Sequence, residues 1–175
     1  MTLSTEYESI YHIRFAILEE KMSDISYPDY VWWVEPGRLA GMPRPPLEDL
    51  AILYQAGMRG IVSVMDEPSG IQEYKDGGFQ ALWLPITGGK SPTVEQVLEF
   101  VQFADSLLEK NQVVAVHCTS GNRRTGTLLA AYLIASGKSP DQALTQVQQA
   151  RPSAQLRDAQ KQFLFALPDL LSGKL

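Results

Sequence analysis

The chain has 175 residues, of which 45% are hydrophobic and 20% are charged, with a formal net charge of −5 and a single cysteine. This composition predicts one globular domain with a full-sized core, and the acidic balance argues against a general nucleic-acid or anionic-membrane binder. A single cysteine excludes an internal disulfide, and a total of one cysteine and two histidines argues against a structural zinc site. Because no apolar run approaches a membrane span of about 18 residues and no signal peptide is visible, we expect a cytoplasmic protein without membrane attachment.

The first third of the chain predicts a helical extension followed by short strands. The extension covers residues 1–29, opens with the capping box Thr5-Glu6-Tyr7-Glu8, and precedes the main domain over residues 30–175. In that domain two short strands flank a Pro-Gly turn, and a proline pair opens a helix that ends at a glycine. These elements are expected at residues 31–34, 38–41 and 45–56.

Strands and helices alternate from residue 60 onward. Short apolar runs predict buried strands, and apolar residues at helical spacing predict the helices between and after them. The strands are expected at 60–65, 79–84 and 113–117, and the helices at about 91–108, 125–136, 139–150 and 154–166. This alternation predicts an α/β fold, in which a mostly parallel central sheet of four to five strands is flanked by helices.

The most informative segment runs from His117 to Gly126 and contains the lone cysteine, Cys118. It joins the end of a predicted buried strand to the start of a predicted helix. At such a junction the backbone N–H groups and the helix N-terminus converge on one point and form an anion site. The pKa of a thiol placed there is expected below its ordinary value of about 8.5, and the resulting thiolate is a nucleophile.

The residues from His117 to Thr125 each have an expected part in phosphate chemistry. Arg124 would close the site with a bidentate guanidinium, and Thr125 would donate a hydrogen bond to the Cys118 sulfur. His117 would hold the loop by hydrogen bonding. The amides that would cradle the phosphate oxygens belong to Thr119, Ser120, Gly121, Asn122 and Arg123.

The pattern His-Cys-x2-Gly-x2-Arg-Thr-Gly after a buried strand resembles the signature of the cysteine-dependent protein phosphatases, in particular the small atypical dual-specificity phosphatases. The resemblance covers about residues 30–167 and includes 33–45, 50–66, 82–85 and the Arg151-Pro152 pair. It implies a phosphotyrosine-phosphatase-like fold of the dual-specificity type. It also implies a hydrolase that forms a phosphocysteine on Cys118 and uses no metal or organic cofactor.

Three other interpretations of Cys118 fit this sequence less well. A buried structural thiol is the usual role of a single cysteine, but the combined Cys-x5-Arg-Thr-Gly pattern between strand and helix argues against it. The low-molecular-weight phosphatases and related arsenate reductases share the Cys-x5-Arg spacing but carry it near the N-terminus. A rhodanese-like loop has a shorter spacing.

The resemblance also implies a general acid, and this sequence departs from the family pattern at both expected places. The acid is usually an aspartate shortly after the strand that ends near residue 85, yet no carboxylate lies between Asp76 and Glu95. The segment after the Arg-Pro pair has none until Asp158. The remaining candidates are Asp66 at the end of a central strand, Asp158, Glu95, or no dedicated acid.

An enzyme without a general acid depends on a good leaving group, which favours phosphotyrosine over phosphoserine and phosphothreonine. We therefore expect a monomeric phosphatase of phosphate monoesters that prefers phosphotyrosine proteins or peptides. The alternatives are a phosphatase of a phosphoanhydride, a multiply phosphorylated small molecule or an RNA 5′ end, and a weakly active phospho-ligand binding module. Arg123 and Lys90 would favour several phosphates if both face the site; otherwise Arg123 pairs with a surface carboxylate.

Overall fold

The computed structural model describes residues 26–173, which form a five-stranded sheet and six α-helices. The strands are β1 (Trp32–Glu35), β2 (Leu39–Pro43), β3 (Met58–Ser63), β4 (Gln80–Trp83) and β5 (Val113–Cys118). The helices are α1 (Leu50–Gln55), α2 (Ile71–Asp76), α3 (Val94–Leu108), α4 (Arg123–Ala135), α5 (Pro140–Ala150) and α6 (Asp158–Ser172). The helix expected in the N-terminal extension lies outside the described residues.

The sheet has the strand order β1-β2-β5-β3-β4, and only β1 runs antiparallel to its neighbour. Strand β5 occupies the centre, where Ala115 is in register with Ala40 of β2 and with Ile61 of β3. Every residue of β5 is buried, as expected for the middle strand of a sheet covered on both faces. The predicted mostly parallel α/β sheet is confirmed, and it places the carboxyl end of β5 at the middle of one edge.

Side chains of the central strand alternate between two hydrophobic cores, one on each face of the sheet. Val114 and Val116 point to the core formed with helices α3 to α6, whereas Val113 and Ala115 point to the core formed with α1 and α2. Helix α4 lies against the first face and is buried over ten consecutive residues, Thr125 to Ile134. The segment that follows Cys118 is thus fixed between a buried strand and a buried helix. Among residues 26–173, no helix is both long and apolar enough to cross a bilayer.

Several predicted boundaries were wrong, and local capping explains one of them. Helix α3 begins at Val94 rather than near 91, because Thr93 and Gln96 form the capping box. Helix α4 begins at Arg123, two residues earlier than predicted. Strand β3 begins at Met58 and ends at Ser63, two residues before the predicted limits at each end.

Helices α2 and α6 also differ from the prediction. Helix α2 was not predicted, and Tyr74 is its single buried residue. Helix α6 covers Asp158–Ser172 instead of about 154–166, because Ala154 and Leu156 bury their side chains in a segment without regular structure. The capping box at Ser139, with proline at the first helical position of α5, is present as predicted.

Candidate active site

Cys118 is the last residue of β5, and the four residues after it turn sharply into helix α4. Gly121 makes this turn possible, since its φ of +67° is strained for other residues. A Cβ atom at Gly121 would also collide with the backbone of Met42 and Pro43 at the end of β2. The indole Nε1 of Trp32 donates a buried hydrogen bond of 3.1 Å to the Gly121 carbonyl, which fixes the turn from the other side.

The surroundings of the Cys118 sulfur favour a thiolate. Burial raises the pKa of this thiol, but hydrogen bonds from the Thr125 side chain and from the amides of Thr125, Asn122 and Gly121 outweigh burial, so the pKa is lowered. The Thr125 hydroxyl is fully buried and hydrogen-bonds no nitrogen or oxygen of residues 26–173. Thr125 contributes to lowering the pKa of the Cys118 thiol, and its predicted hydrogen bond to the sulfur stays a prediction.

His117 lies on the opposite side of the strand from the thiol and is completely buried. Its Nδ1 is 3.4 Å from the Cys118 carbonyl oxygen, and its Nε2 is 3.1 Å from the Tyr74 hydroxyl. Because a carbonyl only accepts, Nδ1 carries the proton and Nε2 accepts from Tyr74. Burial lowers the pKa of His117 to about 4, with a further lowering by the charges of Arg44 and Arg124, against a raising effect of the Cys118 backbone. A neutral imidazole thus supports the strand end by hydrogen bonding.

Asn122 is held by residues that follow helix α5. Its Oδ1 accepts hydrogen bonds from Arg151 Nε and from Ser153 Oγ, both at 3.1 Å. Asn122 directly precedes helix α4, and its amide contributes to lowering the pKa of Cys118. The Arg151 side chain therefore stabilises the loop that surrounds the thiol.

The guanidinium of Arg124 is fixed by four acceptors. Its Nη1 donates to the carbonyls of Val64 (3.3 Å) and Ile86 (3.1 Å) and to Asp66 Oδ2 (3.2 Å), and its Nη2 donates to Thr119 Oγ1 (3.2 Å). The side chain is only 14% exposed. An arginine held in this way needs little reorganisation to receive an anion.

None of the three carboxylates that the sequence offered as possible acids lines the cavity beside Cys118. Asp66 forms an ion pair with Arg124 and is 55% exposed, so its carboxylate accepts hydrogen bonds from the guanidinium. Asp158 is exposed at the first turn of α6. Glu95 lies in the first turn of α3 and is likewise not part of the lining.

The thiol opens into a cavity of about 460 Å³. Its lining residues are Gly88, Gly89, Cys118, Ser120, Asn122, Arg123, Arg124, Ser153 and Arg157. This lining, within the part of the chain that the structure describes, includes three arginines and no carboxylate. Arg123 faces the cavity and donates from Nε to the Gln155 carbonyl at 3.1 Å, instead of pairing with a surface carboxylate.

Arg157 is a cavity residue that the sequence did not reveal, and it replaces the expected Lys90. Lys90 is exposed and lies outside the lining, while its carbonyl accepts a hydrogen bond from Gln160 at 3.1 Å. Gln160 also accepts from the Arg157 amide at 3.0 Å, which ties the loop at Gly88-Gly89 to the start of α6. No local motif marks Arg157, since its position depends on how α6 packs against that loop.

Comparisons with known proteins agree with this architecture. Residues 38–138 match a family model described as "Polymorphic toxin system, DSP-PTPase phosphatase". The human "Phosphatidylglycerophosphatase and protein-tyrosine phosphatase 1" is 28% identical over 160 residues, which cover 85% of this chain and 78% of that protein. The structure of Tk-PTP in the active form has a TM-score of 0.73 at 26% identity and covers 85% of this chain and 100% of Tk-PTP. The structure of PTPMT1 in complex with PI(5)P shares the fold at a TM-score of 0.74 and 24% identity, covering 83% of this chain and 99% of PTPMT1.

Proposed function

Because the chain belongs to the DSP-PTPase phosphatase family, we propose that it hydrolyses phosphate monoesters through a phosphocysteine formed on Cys118. The chain is a hydrolase of the protein-tyrosine and dual-specificity phosphatase type. One observation carries the proposal of mechanism: the lowered pKa of Cys118, in a cavity that Arg124 also lines. A module that only bound phosphate would not need a thiolate at that point.

In the first step the Cys118 thiolate attacks phosphorus, an S–P bond forms, and the P–O bond to the leaving group breaks. The amides of residues 119–123 and the Arg124 guanidinium stabilise the negative charge that develops on the phosphoryl oxygens. In the second step water attacks phosphorus, the S–P bond breaks, and inorganic phosphate departs. The Thr125 hydroxyl stabilises the departing thiolate in this step, as supported by its contribution to lowering the pKa of Cys118.

Protonation of the leaving group decides which substrates turn over well. The described cavity lining holds no carboxylate, so the leaving oxygen takes its proton from water. A general acid contributes typically about 10²–10⁴-fold, and its absence slows alkyl esters most. We therefore propose phosphotyrosine as the preferred phosphoamino acid, with phosphoserine turned over at least about a hundredfold more slowly.

A second candidate substrate is a phosphate monoester on a small polyanionic headgroup. The human relative is named for phosphatidylglycerophosphatase activity, and the PTPMT1 structure holds PI(5)P. In this chain the cavity presents Arg123 and Arg157 in addition to Arg124, which supports substrates that carry more negative charge than one phosphate.

Turnover of a series of aryl phosphates with different leaving-group pKa values tests the mechanism. Without a general acid, log kcat/KM should fall steeply as the pKa of the leaving phenol rises. Cys118→Ser should abolish turnover, and Asp169→Asn, which removes an exposed carboxylate in α6, serves as the matched control. Absence of turnover by the wild type would contradict the enzymatic proposal, and comparable rates for phosphoserine and phosphotyrosine peptides would contradict the preference.

A further inference from the structure

Two arginines in the cavity have no carboxylate partner in the described part of the chain after Arg124 has been assigned to the reacting phosphate. Arg123 and Arg157 both line the cavity. Neither forms an ion pair with a carboxylate of residues 26–173, where the recorded pairs are Arg38–Glu35 and Arg124–Asp66. Two uncompensated positive charges next to a thiolate site, in a chain of net charge −5, are a local departure from the overall acidic balance.

The Arg123 guanidinium is oriented by one hydrogen bond and keeps its terminal nitrogens available. Its Nε donates to the Gln155 carbonyl at 3.1 Å. Arg123 is the first residue of α4, and its backbone carbonyl accepts a hydrogen bond from Thr127 Oγ1 at 2.7 Å. The Nη groups have no acceptor in the described part of the chain and can therefore serve a ligand.

Arg157 is fixed by its backbone and packs its guanidinium against Gly89. The Arg157 amide donates to Gln160 Oε1, and Gln160, which is fully buried, donates to the Lys90 carbonyl. A Cβ atom at Gly89 would collide with the Arg157 guanidinium, so the glycine leaves room for this side chain. No acceptor within residues 26–173 binds the guanidinium nitrogens of Arg157, which leaves its planar fork open to an oxyanion.

We infer that Arg123 and Arg157 form a subsite for a second phosphate of the substrate, which makes a polyol bisphosphate the fitting substrate class. The inference rests on the proposed function, since the subsite lies beside the phosphate that Cys118 would attack. A single phosphate is served by the loop amides and by Arg124, and it leaves both other guanidinium groups without a negative charge to pair with. A second phosphate within a cavity of about 460 Å³ pairs with them through charge-assisted hydrogen bonds.

Competition against p-nitrophenyl phosphate turnover measures this preference. The probes are myo-inositol bisphosphate and myo-inositol monophosphate, and the observable is the ratio of their inhibition constants in each protein. The wild type should bind the bisphosphate about tenfold to a hundredfold more tightly, as expected for charge-assisted hydrogen bonds. The ratio should fall towards one in Arg157→Gln and Arg123→Gln, recover in part in Arg157→Lys, and persist in Lys138→Gln, which removes an exposed charge outside this cavity.

Two further arms separate the possible failures and the possible sources of the ligand. Calorimetric titration of Cys118→Ser with the same two probes gives the binding ratio without turnover, so an inactive wild type would contradict the proposed function alone. Competition by phosphatidylcholine vesicles that contain a phosphoinositide bisphosphate, measured against p-nitrophenyl phosphate turnover, would identify the ligand as a lipid headgroup. Competition by the free inositol bisphosphate alone would identify it as a soluble polyol. Equal affinity for the two inositol phosphates, or a preference retained when both arginines are replaced by glutamine, would overturn the subsite.

Discussion

Acidification should destabilise this protein through His117 in a way that a single substitution can isolate. The imidazole is fully buried between the Tyr74 hydroxyl and the Cys118 carbonyl, and its hydrogen bonds require the neutral ring. Burial and the nearby positive charges lower its pKa from 6.5 to about 4. In the unfolded chain the same ring titrates near 6.5.

The sign and the size follow from these two values. Between pH 6.5 and 4 the unfolded chain binds a proton at this site that the folded chain excludes, so the free energy of unfolding decreases as the pH falls. The stabilisation is complete above pH 6.5 and is lost as the pH approaches 4. Since one pKa unit is worth about 1.4 kcal/mol, the loss amounts to about 3 kcal/mol.

Urea unfolding of the wild type and of His117→Asn at pH 7 and pH 4, followed by tryptophan fluorescence, measures this contribution. Asparagine can still donate to the Cys118 carbonyl but does not titrate, and the carboxylates and His12 are common to both proteins. The wild type should lose about 3 kcal/mol more than the variant on going from pH 7 to pH 4. An equal loss in the two proteins would refute the assignment of a buried neutral His117.

Three other predictions concern the loop and its surroundings. Asp66→Asn should lower kcat/KM about tenfold, because Arg124 loses the carboxylate that holds its guanidinium. Neither Asp66→Asn nor Asp158→Asn should remove the alkaline limb of the pH–rate profile. Loss of that limb in either variant would identify the general acid. Gly121→Ala should cost about 3 kcal/mol in urea unfolding, and clearly more than Gly137→Ala, where φ is also positive but a Cβ meets open space. Thr125→Val should raise the pKa of the Cys118 thiol, so alkylation by iodoacetamide should require a higher pH; an unchanged profile would contradict the hydrogen bond.

The sequence predicted the sheet well, because its three inner strands, β2, β5 and β3, are mostly apolar and mostly buried. It failed where an element has little periodicity to detect. Helix α2 has six residues and buries only Tyr74, which is too short and too polar for a helical pattern. The start of α6 was misplaced because Ala154 and Leu156 are buried without being helical. Burial in irregular structure gives the same sequence signal as burial in a helix.

For the site, the sequence could predict the residues that are contiguous with Cys118 but not those that are distant from it along the chain. The loop from Cys118 to Thr125 could be predicted because its amides and side chains are adjacent in the sequence and the strand-to-helix junction directs them to one point. Trp32 and Arg157 reach the site from either end of the domain, and no spacing rule connects them to the cysteine. The charge of the cavity was hidden as well, since net charge averages over the whole surface.

The three arginines of the cavity lining and the absence of a carboxylate from its described part belong to one electrostatic arrangement. A carboxylate placed beside the leaving oxygen would also face any second phosphate bound by Arg123 and Arg157. Two like charges about 4 Å apart repel by about 4 kcal/mol at an effective dielectric constant of about 20. That repulsion is comparable to the roughly 3–5 kcal/mol by which a general acid lowers the barrier. A cavity lined by three arginines and no carboxylate therefore exchanges fast release of poor leaving groups for affinity towards polyanionic substrates.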